Sequence, residues 1–287
     1  MNTFATPNPI TAMIDMSTRS NILVVAEDRQ DTTVEIVPRS FRRGADQRMM
    51  DQMTVDFSNG LLQVILKPAH LYNWFDFGAA VDVTVRMPSG SNLTASSGMG
   101  NLRCEGDFDA AELRSGKGEI RIDRCTSLRS RTGHGDTYIG QVTGAVDVST
   151  GNGTLRVGSL AGDGVVKTAN GDVYVSEVSG RVRLKSAHGN MMVSQSSGEL
   201  ELKSSNGNLR VEDALRGSVS LRTANGALAV GVHEGTAAWL DLNSSSGRVR
   251  NELGEASGPG EARATVEVTA RTSHGDITIR RSTPIAA

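Results

Sequence analysis

Three sets of residues in this sequence have the types that could do chemistry. The first is a pair of His-Gly-Asp triplets, His134-Gly135-Asp136 and His274-Gly275-Asp276. An imidazole and a carboxylate so close suit metal ligation or acid–base work. The second is a row of hydroxyls: Ser97, Ser115, Thr132, Thr150, Thr168, Ser186, Ser204, Thr223, Ser244 and Thr272. Any of these would be a nucleophile if a base stood within hydrogen-bond reach and a third group oriented it. The third is a row of cations, Arg114, Arg131, Lys167, Lys185, Lys203, Arg222 and Arg271, of the kind that follows an anionic polymer.

All three sets are tied to one spacing. The hydroxyl stands three positions, and the cation four positions, before a recurring glycine: Gly100, Gly118, Gly135, Gly153, Gly171, Gly189, Gly207, Gly226, Gly247 and Gly275. Most of these glycines are 18 residues apart, and the spacing loosens towards the carboxyl end. The residue just before the glycine is mostly Asn or His, as at Asn152, Asn170, His188 and Asn206. Asn-Gly accepts positive φ cheaply, which predicts a tight turn. Two and four residues after the glycine come apolar pairs such as Val173/Val175 and Leu209/Val211. Seven and five residues before it come a second set, such as Val182/Leu184 and Leu200/Leu202.

Each unit therefore predicts two short alternating strands, joined by turns. Such a unit cannot bury its apolar face alone but can when stacked on copies of itself. The predicted fold is all-β: a single-stranded β-solenoid, or β-helix, with coils of about 18 residues. Ten coils at the usual strand spacing would make a rod on the order of 50 Å long. A left-handed hexapeptide helix would repeat its inward residues every six positions, whereas the apolar pairs here recur every nine, which favours a right-handed or flattened coil. The first ninety residues are less regular but contain strand-like runs at Ile22 to Ala26, Thr33 to Val37, Leu61 to Leu66 and Val81 to Met87. The domain reading is an irregular N-terminal β cap over 1-90 and solenoid repeats over 91-287. A Gly/Pro-rich insertion at 254-261 reads as a surface loop.

The repeat weighs the chemistry. The histidines occupy the Asn column, which predicts a turn role, and His134 and His188 would lie three coils, roughly 14 Å, apart, too far to share one zinc ion. Ten near-equivalent hydroxyls predict turn chemistry, each bonding a nearby backbone group. Acids such as Glu201 and Asp147 are scattered among bases, so no converging pair for sugar cleavage is marked. No catalytic residue, metal or cofactor is predicted. Cys104 falls in an inward column and Cys125 three residues past its equivalent; both are expected to be free thiols.

The cation column should point outward, because its neighbours on both sides point in. Stacked like charges repel unless they are paired or meet an anion. Glu112, Asp147, Glu201 and Asp241, two residues earlier, share that face. A solvated mixed-charge face and a linear site for an anionic polymer are both open. Three residues after the glycine another outward row reads Arg103, Arg121, Tyr138, Arg156, Tyr174, Met192, Arg210, which suits stacking on a sugar or a base. The segment Leu71 to Phe77 concentrates Tyr72, Trp74, Phe75 and Phe77. It is either a contact patch for a partner or the packed plug of the cap.

Bulk composition adds exclusions. The formal charge is 30 − 32 = −2, so no global field favours nucleic acid or an acidic membrane, and disorder by charge repulsion is excluded. The longest aliphatic run, Ile22 to Ala26, is far short of a helical membrane span. Met1 to Met16 shows no basic segment followed by an apolar stretch, so the expected address is the cytoplasm, with export by another route left open.

The pattern Ser/Thr–small–Asn/His–Gly–x–apolar–x–apolar, as in Thr168-Ala169-Asn170-Gly171-Asp172-Val173-Tyr174-Val175 and Ser204-Ser205-Asn206-Gly207-Asn208-Leu209-Arg210-Val211, resembles the bacterial β-strand-repeat family of putative adhesins, a domain of unknown function. The opening from Pro7 to Pro38 is similar to actinobacterial members. The resemblance implies the repeat fold and brings no catalytic residues. The functional expectation is a non-enzymatic scaffold that self-associates, with short coils resembling those of bactofilins, or binds partners through its faces and ends. The alternative is a binding module for an anionic polymer along the cation column. A third reading, by analogy of fold alone, is a polysaccharide-active β-helix enzyme.

Overall fold

In a computed structural model, residues 1–39, 52–66, 80–253 and 264–282 are described. All their regular structure is β-strand, and among them no helix is long and apolar enough to cross a membrane. The chain divides into two compact units, Met1–Gly140 and Gln141–Ala287.

The first unit holds β1 (Asn2–Ala5), β2 (Thr11–Glu27), β3 (Asp31–Pro38), β4 (Met53–Ser58), β5 (Leu61–Leu66), β6 (Ala80–Pro88), β7 (Ser91–Met99), β8 (Leu102–Lys117) and β9 (Ile120–His134). β2 is a whole coil in one strand. Its first leg pairs in parallel with β5 and β7, Ile14 lying between Val64 and Ala95. Its second leg pairs in parallel with β6 and β8, Val24 lying between Val85 and Cys104. β7 then pairs with β8, and β8 with β9. Beyond the coil made by β5 and β6 the direction reverses: β4 pairs antiparallel with β5, β3 with β6 and β1 with β3. All four sequence-predicted strand runs lie inside β2, β3, β5 and β6. Antiparallel strands end the stack without offering the core to water: Leu62, Val64, Val81 and Val85 have no accessible surface.

After β10 (Thr137–Val142), the second unit holds β11 (Val146–Asn152), β12 (Leu155–Leu160), β13 (Gly164–Asn170), β14 (Val173–Val178), β15 (Arg181–His188), β16 (Met191–Ser196), β17 (Glu199–Asn206), β18 (Leu209–Ala214), β19 (Gly217–Asn225), β20 (Leu228–Val232), β21 (Thr236–Ser246), β22 (Val249–Asn251), β23 (Ala264–His274) and β24 (Ile277–Arg281). One face stacks β11, β13, β15, β17, β19, β23 and β21 in parallel; the other stacks β12, β14, β16, β18, β20, β24 and β22. The predicted apolar columns face inward: Leu184, Leu202 and Leu221 are fully buried on one face, and Leu155, Val193 and Leu209 on the other. Each such side chain contributes about 1.5–3 kcal/mol by leaving water.

The order of the last coils differs from chain order. β23 pairs with both β19 and β21, so the coil of Gly275 lies between those of Gly226 and Gly247. The intervening 254-261 insertion lies within residues outside the described ones. Among the described residues the coil of β21 and β22 is therefore outermost in this unit, and its Gly247 departs from the positive φ of the other repeat glycines.

The corner is built by glycine, not by an Asn-Gly turn. At Gly171 φ is +139°, and an added Cβ would stand 2.0 Å from the carbonyl oxygen of Gly153 in the coil beneath. Asn59 is the sole non-glycine with positive φ among the described residues. The Asn column instead joins coils. The Asn170 amide donates to Asn152 Oδ1 at 2.9 Å and the Asn225 amide to Asn206 Oδ1 at 2.9 Å, while Asn206 Nδ2 and His188 Nδ1 lie 3.2 Å apart. The residue after the glycine does the same with the backbone: the Asn190 N–H donates to Asp172 Oδ1 at 2.8 Å and the Asn208 N–H to Asn190 Oδ1 at 3.0 Å.

Candidate functional site

The hydroxyl row lies inside. Its members from Ser97 to Thr223, and Thr272, are largely buried. Thr132 Oγ1 lies 3.3 Å from Thr137 Oγ1, and the others split into two groups. Ser97 donates to the Ser20 carbonyl at 3.1 Å, Thr223 to that of Gly207 at 3.2 Å, Ser244 to that of Gly275 at 2.8 Å and Thr272 to that of Gly226 at 3.1 Å. Ser115, Thr150, Thr168, Ser186 and Ser204 have no hydrogen-bond partner among the described residues. The expectation that every hydroxyl bonds a nearby backbone group is corrected here. Register puts Thr150, Thr168, Ser186 and Ser204 one strand apart, about 4.8 Å, too far for a bond between hydroxyls. A buried row with no base in contact has the wrong surroundings for a nucleophile.

The triplet histidines stand in the corner column, as their spacing predicts. The His274 carbonyl accepts from the Gly226 N–H at 2.9 Å. Among the described residues no group of three His, Cys, Asp or Glu side chains is placed to hold a metal ion. Cys104 and Cys125 are buried free thiols. Burial is the main cause that pushes both thiols up, Cys125 to about 12.

The cation column has a different geometry. In the second unit its members fall in one unbroken register: Lys167 beside Lys185, Lys185 beside Lys203, Lys203 beside Arg222, and Arg222 beside Arg271. The column ends at Asn243, opposite Arg271. In the first unit Arg114 lies beside Arg131. Lys167, Lys203, Arg222 and Arg271 are exposed, and Lys185 is half-buried. Arg114 pairs with Glu112 at 2.5 Å and Arg271 with Asp241 at 2.7 Å. Arg131, Lys167, Lys185, Lys203 and Arg222 have neither ion-pair nor hydrogen-bond partners among the described residues. Glu201, the acid closest in sequence to the lysines, is taken by Arg183.

From β13 to β21 this column and the one two residues earlier hold six cations (Lys167, Arg183, Lys185, Lys203, Arg222, Arg271) against two anions (Glu201, Asp241). Register sets the backbones of neighbouring cations about 4.8 Å apart, and unit charges at that separation would repel by about 1 kcal/mol even at the dielectric of water. Lys167, Lys185, Lys203 and Arg222 have no direct ion pair among the described residues to offset that repulsion.

The Arg/Tyr row on the other side of the corner is satisfied from within. The Arg121 guanidinium lies 5.2 Å from the Tyr138 ring centroid and that of Arg156 4.8 Å from Tyr174. Arg103 pairs with Glu105 at 2.5 Å, and Arg210 pairs with Glu212. The expected stacking surface for a sugar or base already has arginine on its rings. The candidate contact residues Tyr72, Trp74, Phe75 and Phe77 lie outside the described residues.

Parallel coils, a glycine corner and columns of like residues define a β-solenoid repeat protein. The chain belongs to the Toastrack DUF4097 family, whose sequence model matches residues 12–280; the family's function is unknown. Solved structures similar to the chain include a putative adhesin from Parabacteroides merdae, 10% identical, covering 97% of this chain and 94% of that one, with a TM-score of 0.38. A putative adhesin from Parabacteroides distasonis is 10% identical, covering 97% and 95%, with a TM-score of 0.34. A putative lipid binding protein from the same species is 10% identical, covering 98% and 96%, with a TM-score of 0.32. No curated protein matches the chain.

Proposed function

We propose that this chain is a non-enzymatic β-solenoid scaffold that binds an anionic polymer along the column of Lys167, Lys185, Lys203, Arg222 and Arg271. The observation that carries this reading is the run of four in-register cations, Lys167 to Arg222, left without partners among the described residues. A polymer with regularly spaced acidic groups would lie across the strands, offset the repulsion within the column and release its own counterions. One group per coil, about 4.8 Å apart, matches a chain with one charge per repeating unit better than it matches a compact ligand. The buried, baseless hydroxyl row favours holding over reacting.

Binding of long-chain polyphosphate and of a polyuronate, each titrated from low to high salt, tests this reading. Affinity should fall steeply with salt, and the triple variant Lys167→Gln, Lys185→Gln, Lys203→Gln should lose most of it, with the log–log salt slope smaller by about 2–3. Unchanged binding in the triple variant would leave the column a solvated face.

A second reading, self-association, is favoured by the outermost coil of the second unit. Val249 there is 46% exposed, although its register partner Ile277 is fully buried.

A further inference from the structure

Among the described residues, the strand that ends the second unit lacks the usual protections of an edge. β21 runs for eleven residues, Thr236–Ser246, and among the described residues pairs with β23 alone. Its alternate residues belong to inward columns: Ala238, Leu240 and Leu242 lie beside Val266, Val268 and Ala270, all buried. Yet Ala238, Leu240 and Leu242 are themselves only half-buried, and among the described residues no further coil is stacked on them. Trp239, on the outward side, is 66% exposed. Edge strands are normally blunted by lysine, proline, a bulge or short length. β21 has no lysine or proline, one charged residue, Asp241, and an unbroken register with β23.

We propose that a second copy of this chain covers this edge, with the two β21 strands pairing antiparallel across a two-fold axis at Leu240. This rests on the self-association reading above and gives it a surface. A two-fold axis makes the same patch serve both sides, and β21 meets that demand on its own when Leu240 lies on the axis. With Leu240 opposite Leu240 of the second copy, Ala238 faces Leu242, and the half-buried inward residues of both copies close into one core. Trp239 then lies opposite Asp241. A shift that set Asp241 against Asp241 would place like charges directly opposite, which is unfavourable. In the Leu240 register each Asp241 keeps its own Arg271, so no unpaired charge faces the centre. Pairing β21 with β22 instead would use only the three residues Val249–Asn251 on the partner side.

Sedimentation of the full chain across protein concentration and at two ionic strengths, with Leu240→Lys and Leu240→Cys variants, tests the proposal. The wild type should form a dimer that persists at high salt. Leu240→Lys should be monomeric with an unchanged circular dichroism spectrum. Leu240→Cys should oxidise to a covalent dimer, since directly opposed residues of antiparallel strands have Cα atoms about 4.5–5.5 Å apart, within disulfide range. Cys104 and Cys125 are buried and leave the background clear. A wild type monomeric at every concentration would overturn the self-association reading and this proposal together. Should only a variant with residues 254–263 replaced by a short Gly-Ser linker dimerise, the chain's own segment is the occupant, and the proposal fails. A wild-type dimer untouched by Leu240→Lys, with no cross-link through Leu240→Cys, would leave self-association standing and overturn the β21 edge.

Discussion

Two outward rows flank the same glycine corner in the second unit, and they settle their charges in opposite ways. After the glycine, Arg156 stacks on Tyr174 at 4.8 Å and Arg210 pairs with Glu212. Before it, Lys167, Lys185, Lys203 and Arg222 stand one above another with no partners among the described residues. The backbone is the same, as is the spacing; only the interleaving differs. A repeat fold copies any column choice up the stack, so a row that alternates cations with aromatics spaces its charges and gives each a ring or a carboxylate to meet, whereas a row of uniform cations accumulates a field. The second arrangement is the one that leaves something for a ligand to do.

The harshest way to break this comparison is at the corner both rows share. Gly171→Ala would put a Cβ 2.0 Å from the Gly153 carbonyl oxygen at a φ of +139°, and should lower stability by about 3 kcal/mol or more, read as a fall in the denaturant midpoint. The buried row beneath the cations comes next. Thr168→Val removes a hydroxyl without a partner and should stabilise by about 1 kcal/mol, whereas Thr272→Val removes the bond to the Gly226 carbonyl and should destabilise by about 1 kcal/mol. Matched thermal melts would show these opposite signs; a loss in both would mean that Thr168 bonds something after all.

A smaller contrast separates the outward rows themselves. Tyr174→Ala should cost about 0.5–1 kcal/mol through the lost cation–π contact, while Lys185→Gln should be neutral or slightly stabilising, since it relieves like-charge neighbours. The smallest effect is with pH. Arg124 beside Asp107 and Arg181 beside Glu199, through their hydrogen bonds, hold both carboxyls below the usual carboxylate range. Their attraction is therefore present above the ordinary carboxylate pKa of about 4 and is lost as pH falls through the lower native values. Both pairs are exposed, so an Asp107→Asn, Glu199→Gln variant should show only a slightly shallower acid-side loss of stability.

Much of the fold was legible because glycine, apolar pairs and hydroxyls recur at fixed distances, and only stacked strands turn such a period into a core. The outward direction of Lys167, Lys185 and Lys203 followed from the alternation of their neighbours. Three features were not legible. The Asn column read as a turn because Asn-Gly dipeptides look alike whether the side chain serves φ or reaches the next coil; Asn170 bonding Asn152 is visible only once coils are stacked. The insertion of the Gly275 coil between those of Gly226 and Gly247 left a trace only as the longest step between glycines, with nothing to say that the chain doubled back. The third was the partnering of charges. Sequence set Glu201 near Lys203, but Arg183, one coil away at the same outward position, takes it.

The central claim is that the lysine column is an open site, and lysine footprinting tests it most directly. Three of the chain's five lysines, Lys167, Lys185 and Lys203, are in the column, and exposed Lys117 is an internal reference. With mild acylation read by mass spectrometry, all three should label readily in the free protein. Long-chain polyphosphate at low salt should protect them together while Lys117 keeps labelling. Equal protection at Lys117, or none at the three, would contradict the account.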